Sequence, residues 1–511
     1  MPLKKLAEEM AAVAPGHAFG VPGSGQSLEL IDALTLGGMA FHSVHHEGAA
    51  AIMAGTVGRL HGRAGVAISI KGPGLANLAG GMVACALEGL PLLAVSEAYP
   101  PDAPAAKAHK RLDQGALTAA AAKGRRRLAT DGPGYAALAG WSEAEVPAPV
   151  LLELAGVADH AEPVPAADDL SEVGEARKLV AAAERPLVIA GTLAIRQGLS
   201  PLLNRLQIPV FTSAAAKGVV HEGLPHAAGV YTGVGLELTP EADLPDRADL
   251  IVGIGLRAGE VLSAASFGAP SINIDPVDAP GHEGFGFQAV ARSGEAILEL
   301  LTQKAWGVEE TARVTGDIRR HLLRSGSFLP AHAFDAVARA FPDGVRMVID
   351  TGYFCTIGEH AWRAPKAAWC LSSGSGRYMG IGLPQAVAAA LYDGGVPTVL
   401  VVGDGGIAPF FAEARLAVRQ TAPLVVLQMS DGGYGSVRTR AIQDGLSQAP
   451  MLEPAADWRG AFEGIGYRAE EAFDADGLSA VLQGWRASAG PLFVAARHDA
   501  DAYQEMVKGI R

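Results

Sequence analysis

Three doubly wound α/β segments, each built on a parallel sheet, are the fold class predicted by this sequence of 511 residues. The first observation behind this is a set of short apolar runs that are continuous rather than alternating. Strands covered by helices on both faces have that pattern. The second is the Ala-rich helical stretches, such as 78–87, that separate these runs. The third is a pair of polar interruptions: residues 157–174, rich in Pro and Asp, and residues 303–328, charged, with a short helical pattern at 316–324. They divide the chain into segments 1–160, 171–302 and 327–511, and no solenoid-type repeat runs across them.

In the first segment, 65–70 (GVAISI), 91–95 (PLLAV) and 149–154 (PVLLEL) are strands, and Phe19-Gly20-Val21-Pro22-Gly23 is a turn at the end of an earlier one. His45-His46-Glu47-Gly48-Ala49 opens a helix of small residues, and Gly72-Pro73-Gly74-Leu75-Ala76-Asn77 follows the strand at 65–70. The second segment has strands at 186–190 (PLVIA) and 250–254 (LIVGI). In the third they fall at 347–349 (MVI), 396–402 (VPTVLVV) and 423–429 (PLVVLQM). Glycine-rich turns follow several of these runs, as short strand–helix connections require.

Composition excludes several classes. Hydrophobic residues make up 49% and charged residues 19%, a globular balance rather than a disordered one. Lys plus Arg number 41 against 54 Asp plus Glu, a net charge of −13, so nucleic acid and anionic membranes are not expected partners. The three cysteines, Cys85, Cys355 and Cys370, lack zinc-type spacing and suit a reducing compartment. The start, MPLKKLAEEM, has acids where a signal peptide would have its apolar run, and no apolar run reaches membrane-spanning length. A cytoplasmic protein is expected. Glycine is abundant, 64 of 511 against a usual ~7%, with no collagen period, which points to tight turns and close backbone–ligand approach.

The strongest local signal runs from Val401 to Gly435. A strand enters Gly403-Asp404-Gly405, a helix follows, and a second strand ends at Ser430-Asp431-Gly432-Gly433. Asp404 and Asp431 thus stand at the carboxyl ends of parallel strands, where open α/β sheets bind ligands. Two carboxylates and a backbone carbonyl make a hard oxygen set suited to Mg²⁺, and the neighbouring glycines let amides reach phosphate oxygens. Glu47, among small apolar residues at a helix start, is either an acid favoured by the helix dipole or a buried carboxyl that shares a proton with a ligand nitrogen.

Taken together, the FGVPG turn, HEGAAAIMAGTVGRLHG, KGPGLAN, RPLVIAG, IPVFTSAAAKG, ADLIVGIGLR, INID, GIGLPQA and GDG…SDGGYG resemble the thiamine-diphosphate-dependent enzymes of the acetolactate synthase, benzoylformate decarboxylase and pyruvate decarboxylase group. The resemblance spans nearly the whole chain. It implies a pyrimidine-binding first domain, a Rossmann-like middle domain and a diphosphate-binding third domain, the outer two sharing a fold. A homodimer or homotetramer, with active sites at subunit interfaces, is implied as well.

By the same resemblance Glu47 is catalytic, hydrogen-bonding the pyrimidine N1′ so that the thiazolium carbon loses its proton. The resulting ylid adds to a 2-oxo acid, CO₂ leaves, and the enamine is protonated or ligated to a second carbonyl. Asp404, Asp431 and the carbonyl of Gly433 hold Mg²⁺; Asp431 falls where the family commonly has Asn. Met379 matches the apolar wedge that bends the cofactor, and is expected to pack in the core too. Pro22, Gly23, Asn77, Gly352, Tyr353, Gly405, Gly406 and Tyr434 complete the cofactor-binding set.

The departures concern the substrate. Lys71 stands where relatives usually carry Ser, and Ile70 where benzoylformate decarboxylase has a His. The stretch His109-Lys110-Arg111-Leu112-Asp113-Gln114 lies opposite the Phe-Gln-Glu of acetolactate synthases, Arg377 replaces a loop glycine, and Ser24 matches a pocket serine. Ser24, Lys71, His109, Lys110 and Arg377 are therefore the candidate substrate residues, and the basic ones suggest a 2-oxo acid with an extra anionic group. Three alternatives stand beside this reading: a C–C lyase or hydrolase of the same family, a nicotinamide-dependent oxidoreductase, and a catalytically silent binding subunit. The oxidoreductase would use the Gly253–Gly259 loop, a dinucleotide fingerprint with one residue too many, and Asp275 about 20 residues on. FAD or ADP in the middle domain is not expected.

Overall fold

The computed structural model describes residues 3–104, 106, 108–128, 134–144, 146–155, 173–263, 267–275, 284–290, 294–452 and 456–511. Most of the linker expected at 157–174 lies outside the described residues. The described strands form three six-stranded sheets whose paired strands all run parallel.

The first sheet contains β1 (His17–Gly20), β2 (Ala40–Ser43), β3 (Gly65–Ser69), β4 (Leu92–Glu97), β5 (Gly124–Leu128) and β6 (Pro149–Leu154), in the order β2-β1-β3-β4-β6-β5. Its continuous apolar strands β3, β4 and β6 are buried throughout, whereas the edge strand β5, Gly-Arg-Arg-Arg-Leu, is half-buried. The second comprises β7 (Pro186–Ala190), β8 (Val210–Thr212), β9 (Ala227–Val230), β10 (Leu250–Ile254), β11 (Ser271–Asp275) and β12 (Phe287–Val290), ordered β12-β11-β10-β7-β8-β9. Counted from its own first strand this is the doubly wound dinucleotide-fold order, with its switch point between β7 and β10.

The third holds β13 (Arg346–Ile349), β14 (Cys370–Ser372), β15 (Thr398–Gly403), β16 (Leu424–Ser430), β17 (Arg468–Ala472) and β18 (Leu492–Arg497), ordered β14-β13-β15-β16-β18-β17. Strand for strand it repeats the first sheet, as the resemblance implies for the outer two domains.

Contacts divide the chain into two units that are not continuous in sequence. The first sheet forms one unit with Leu383–Gly395 and Phe410–Ala422; the second and third sheets form the other. Within the first unit the phenol of Tyr392 lies 2.8 Å from His61 Nδ1 and its ring meets the edge of His17.

Small residues set the helix spacing next to β3. Helices Glu47–His61 and Pro73–Glu88 approach so closely that a Cβ at Gly81 would lie 2.2 Å from the Gly48 carbonyl oxygen. Part of the glycine excess thus serves close helix packing rather than turns. No helix among the described residues is long and apolar enough to cross a membrane.

Candidate active site

In the first unit the chemistry-bearing residues gather at the carboxyl ends of β1, β3 and β4. Glu47 is the first residue of helix Glu47–His61, and the His46 ring caps that helix by accepting from the Gly48 amide at 3.0 Å. The Glu47 side chain is buried, and Asn77 Nδ2 donates to its Oε2 at 3.0 Å. A Cβ at Gly74 would come 3.3 Å from Glu47 Oε1, so the Gly-Pro-Gly turn leaves its near face bare. The two meanings of Glu47, helix-start acid and functional carboxyl, therefore coincide in one residue.

Behind Glu47 stands a residue that sequence reasoning missed. The buried carboxylate of Glu413 accepts the amides of His45 at 3.0 and 3.1 Å and of His46 at 2.9 Å, with His45 Nδ1 at 3.2 Å. Burial pushes its carboxyl above the usual range, although the His45 contacts oppose this. The only signal was an acid inside an otherwise apolar helix approach, Phe-Phe-Ala-Glu. Glu413→Ala strands the two amides and is expected to cost about 2–4 kcal/mol of stability, measured by urea unfolding; a loss below about 0.5 kcal/mol, the size of an ordinary surface substitution, would show that Glu413 does not anchor the loop.

The candidate substrate residues fall into different settings. Ser24 and His109 are exposed, as is Pro22 of the cofactor-binding set, and the His109 carbonyl accepts the Tyr99 hydroxyl at 2.9 Å. A Cβ at Gly23 would clash with Ser27 Oγ at 2.6 Å, which explains the tight turn before Ser24. Lys71 is not a free cation: its Nζ lies 2.6 Å from Glu97 Oε2, because a mostly buried ammonium needs a fixed partner. Burial pushes the Glu97 carboxyl up, yet hydrogen bonds from Lys71 and Ser27 hold it below the usual range.

In the second unit, β15 and β16 are neighbours, and Asp404 and Asp431 follow their carboxyl ends. Asp404 Oδ1 accepts from Gln428 Nε2 at 2.5 Å, and Oδ2 from the amides of Asp431 at 3.1 Å and Gly432 at 2.9 Å. The Asp431 carboxyl is pushed up to about 7, first by burial and then by the Asp404 charge. Two carboxylates that repel each other beside glycine turns suit a divalent cation, whose charge would offset that repulsion. Among the described residues no group of three or more His, Cys, Asp or Glu could hold a metal. Gly433 bridges Leu452, and the Tyr434 amide donates to the Met451 carbonyl at 2.8 Å, which fixes the turn.

Glycines let the surrounding loops pack closely. A Cβ at Gly405 would meet the Tyr434 ring at 2.4 Å, and one at Gly406 would meet Asp350 Oδ2 at 2.2 Å. Gly352 caps helix Tyr353–Ala361, and beside it the buried Thr351 hydroxyl has no hydrogen-bond partner. Asp350, the residue after β13, was not anticipated as a site residue. Its carboxylate oxygens each accept the Gly380 amide at 3.0 Å, and burial pushes its carboxyl up to about 7 against the pull of these backbone hydrogen bonds.

One expectation is corrected here. Met379 does not pack in the core: the backbone after it is pinned to Asp350, Gly380 has φ +89°, and the Met379 side chain remains 37% exposed. Arg377 is committed within the unit, its Nη2 lying 3.0 Å from Glu359 Oε1, and Glu359 also pairs with Arg511 at 2.8 Å. The partly buried guanidinium thus has a fixed carboxylate partner.

The nicotinamide alternative loses its structural context. The Gly253–Gly259 loop after β10 opens no helix, and the carboxylate of Glu260 accepts the Thr192 amide at 3.0 Å and the Ser213 hydroxyl at 2.9 Å. Arg257 closes the same network onto Glu260 at 2.8 Å. A side-chain carboxylate thus sits after β7, where a dinucleotide phosphate would bind. The Asp275 backbone ends β11.

Residues 4–117 match the family model described as thiamine pyrophosphate enzyme, N-terminal TPP binding domain. Residues 173–300 match the central domain and 350–496 the C-terminal TPP binding domain of the same description. The chain is similar to a probable 2-ketoarginine decarboxylase of Pseudomonas aeruginosa, 28% identical over 94% of this chain and 91% of the relative. It is also similar to a catabolic acetolactate synthase of Raoultella terrigena, 27% identical over 86% of this chain and 84% of the relative. An acetolactate synthase of Bacillus subtilis is 25% identical over 82% of this chain and 80% of the relative.

Proposed function

Since the chain belongs to the thiamine pyrophosphate enzyme family, we propose that it uses thiamine diphosphate and Mg²⁺ to remove CO₂ from a 2-oxo acid. The observation that carries the reading is Glu47, a buried carboxyl at a helix start, held by Asn77 and left bare on one face by Gly74. Bound thiamine diphosphate supplies a nucleophilic carbon and an electron sink. Glu47 holds a proton against the pyrimidine nitrogen, and its burial keeps water from competing for that proton. Asn77 orients the carboxyl. The exposed thioether of Met379 offers an apolar surface for the cofactor's bent form. Asp404, Asp431 and the Gly433 carbonyl take the metal, while Gly352, Tyr353, Gly405, Gly406 and Tyr434 flank the diphosphate. CO₂ loss is the step suggested both by the decarboxylase and by the acetolactate synthases to which the chain is similar. The reading includes a homo-oligomer, which light scattering tests.

A panel of pyruvate, 2-ketoarginine and 2-oxoglutarate, assayed with CO₂ and product detection on cofactor-loaded protein, tests the reaction. At least one 2-oxo acid is expected to release CO₂ in step with its consumption. Substrate cleavage without CO₂ would overturn decarboxylation and favour C–C hydrolysis.

A further inference from the structure

We propose that a second pocket of the first unit, beside the Glu47 loop, binds a small organic dianion such as a phosphate ester or a dicarboxylate. The pocket encloses about 410 Å³ at the carboxyl end of β4, against the edge strand β5. Five cationic side chains line it: Lys71, Lys110, Arg111, Arg125 and Arg127. Against them stand Asp113 and Glu153 in the lining and Glu97 paired with Lys71, so the pocket is cationic within a chain of net charge −13. Such a concentration of one sign in a concave site focuses the field on an anion.

The site is built rather than incidental. Arg125 and Arg127 alternate along β5 onto one face and converge on a single oxygen of buried Glu153, at 3.5 and 3.1 Å. Lys110 has φ +66°, a backbone state that a lysine adopts only when its surroundings enforce it. Its carbonyl lies against Gly72, where a Cβ would come 2.3 Å from that oxygen. The Tyr99 ring, with Lys71 Nζ at 5.2 Å and Arg111 at 5.8 Å from its centroid, and the exposed Leu112 give a ligand body something to lie on.

Gln114 ties this wall to the catalytic loop. Its Oε1 accepts the Gly72 amide at 3.1 Å, and its Nε2 donates to Glu153 Oε1 at 2.9 Å. The arginines are thereby linked through Glu153 and Gln114 to the Gly72 amide, at the start of the helix whose Asn77 donates to Glu47. The dianion has two sources, the distal acid group of the 2-oxo acid itself or a separate effector.

The test titrates inorganic phosphate, at constant ionic strength, into protein saturated with thiamine diphosphate and Mg²⁺, so that the diphosphate cradle is already filled. Calorimetry is expected to show one saturable site per chain. Affinity is expected to fall by about tenfold or more in Lys110→Ala/Arg111→Ala; both side chains are exposed, so the change leaves no buried carboxylate unpaired and the melting temperature serves as the folding control. No saturable binding, or equal affinity in the double variant, overturns the proposal whether or not the decarboxylase reading holds. If phosphate raises KM for the 2-oxo acid at constant kcat, the pocket takes the substrate's own distal group. If phosphate changes kcat at constant KM, the ligand is a separate effector.

Discussion

Glu47→Gln is expected to reduce turnover by about 10²–10⁴-fold while folding and cofactor affinity stay near those of the parent. Glutamine preserves the volume of the side chain and an oxygen able to accept from Asn77 Nδ2, so the packing at the start of helix Glu47–His61 persists. It cannot take up or release a proton. The substitution therefore separates the two meanings of this residue. If Glu47 acts only as a helix-start acid, losing its charge costs about 0.3–1 kcal/mol of stability and leaves kcat alone. If it is the proton partner of the pyrimidine, kcat collapses at nearly unchanged stability. Exchange of the thiazolium carbon-bound proton into deuterated water, followed by proton NMR after acid quench, reads the same step without any substrate. Exchange and turnover near parental rates in Glu47→Gln would sink the mechanism.

Which parts of this protein were legible in its sequence follows from the range of the interactions involved. Strands β3, β4, β6, β7, β10, β15 and β16 are doubly covered, so their apolar runs are uninterrupted and visible. Edge strands β5 (GRRRL) and β17 (RAEEA) face solvent in part, carry charge, and give no such run. Glu47, Asp404 and Asp431 could be found because glycine turns beside them mark strand ends and helix starts within a few residues. Their supporting partners could not. Glu413 reaches back 368 positions to the His45 amide, and Gln428 stands 24 from Asp404. No local spacing encodes pairings that only the topology brings together. Ion-pair partners are hidden for a related reason: a lone lysine or arginine in a loop gives no sign of its buried acid, as Glu97 is for Lys71 and Glu359 for Arg377.

Asp431→Ala is expected to abolish the rise in melting temperature that Mg²⁺ produces at fixed thiamine diphosphate, and to do so without harming the metal-free protein. The argument turns on the sign of one interaction. Without a cation, Asp431 is a half-buried carboxyl beside Asp404, and both partial burial and that neighbour disfavour its charge. Removing it relieves a cost, so the metal-free variant melts at or above the parent. With Mg²⁺ the same carboxylate becomes a ligand, and its loss weakens the coupled binding of metal and diphosphate. Ligand at a hundredfold excess over Kd contributes about 2.7 kcal/mol to the folded state, and that contribution is what the variant forfeits. Asp431→Asn is the discriminating control, because it keeps an oxygen ligand while removing the charge. It is expected to retain a Mg²⁺-dependent rise where Asp431→Ala has none. Asp404 remains in both variants, with its amide contacts to residues 431 and 432 intact, since those are made by backbone. Parental Mg²⁺ dependence of the melting curve in Asp431→Ala would show that the metal is held elsewhere, and the cradle around Gly405 and Tyr434 would then need a different cation source.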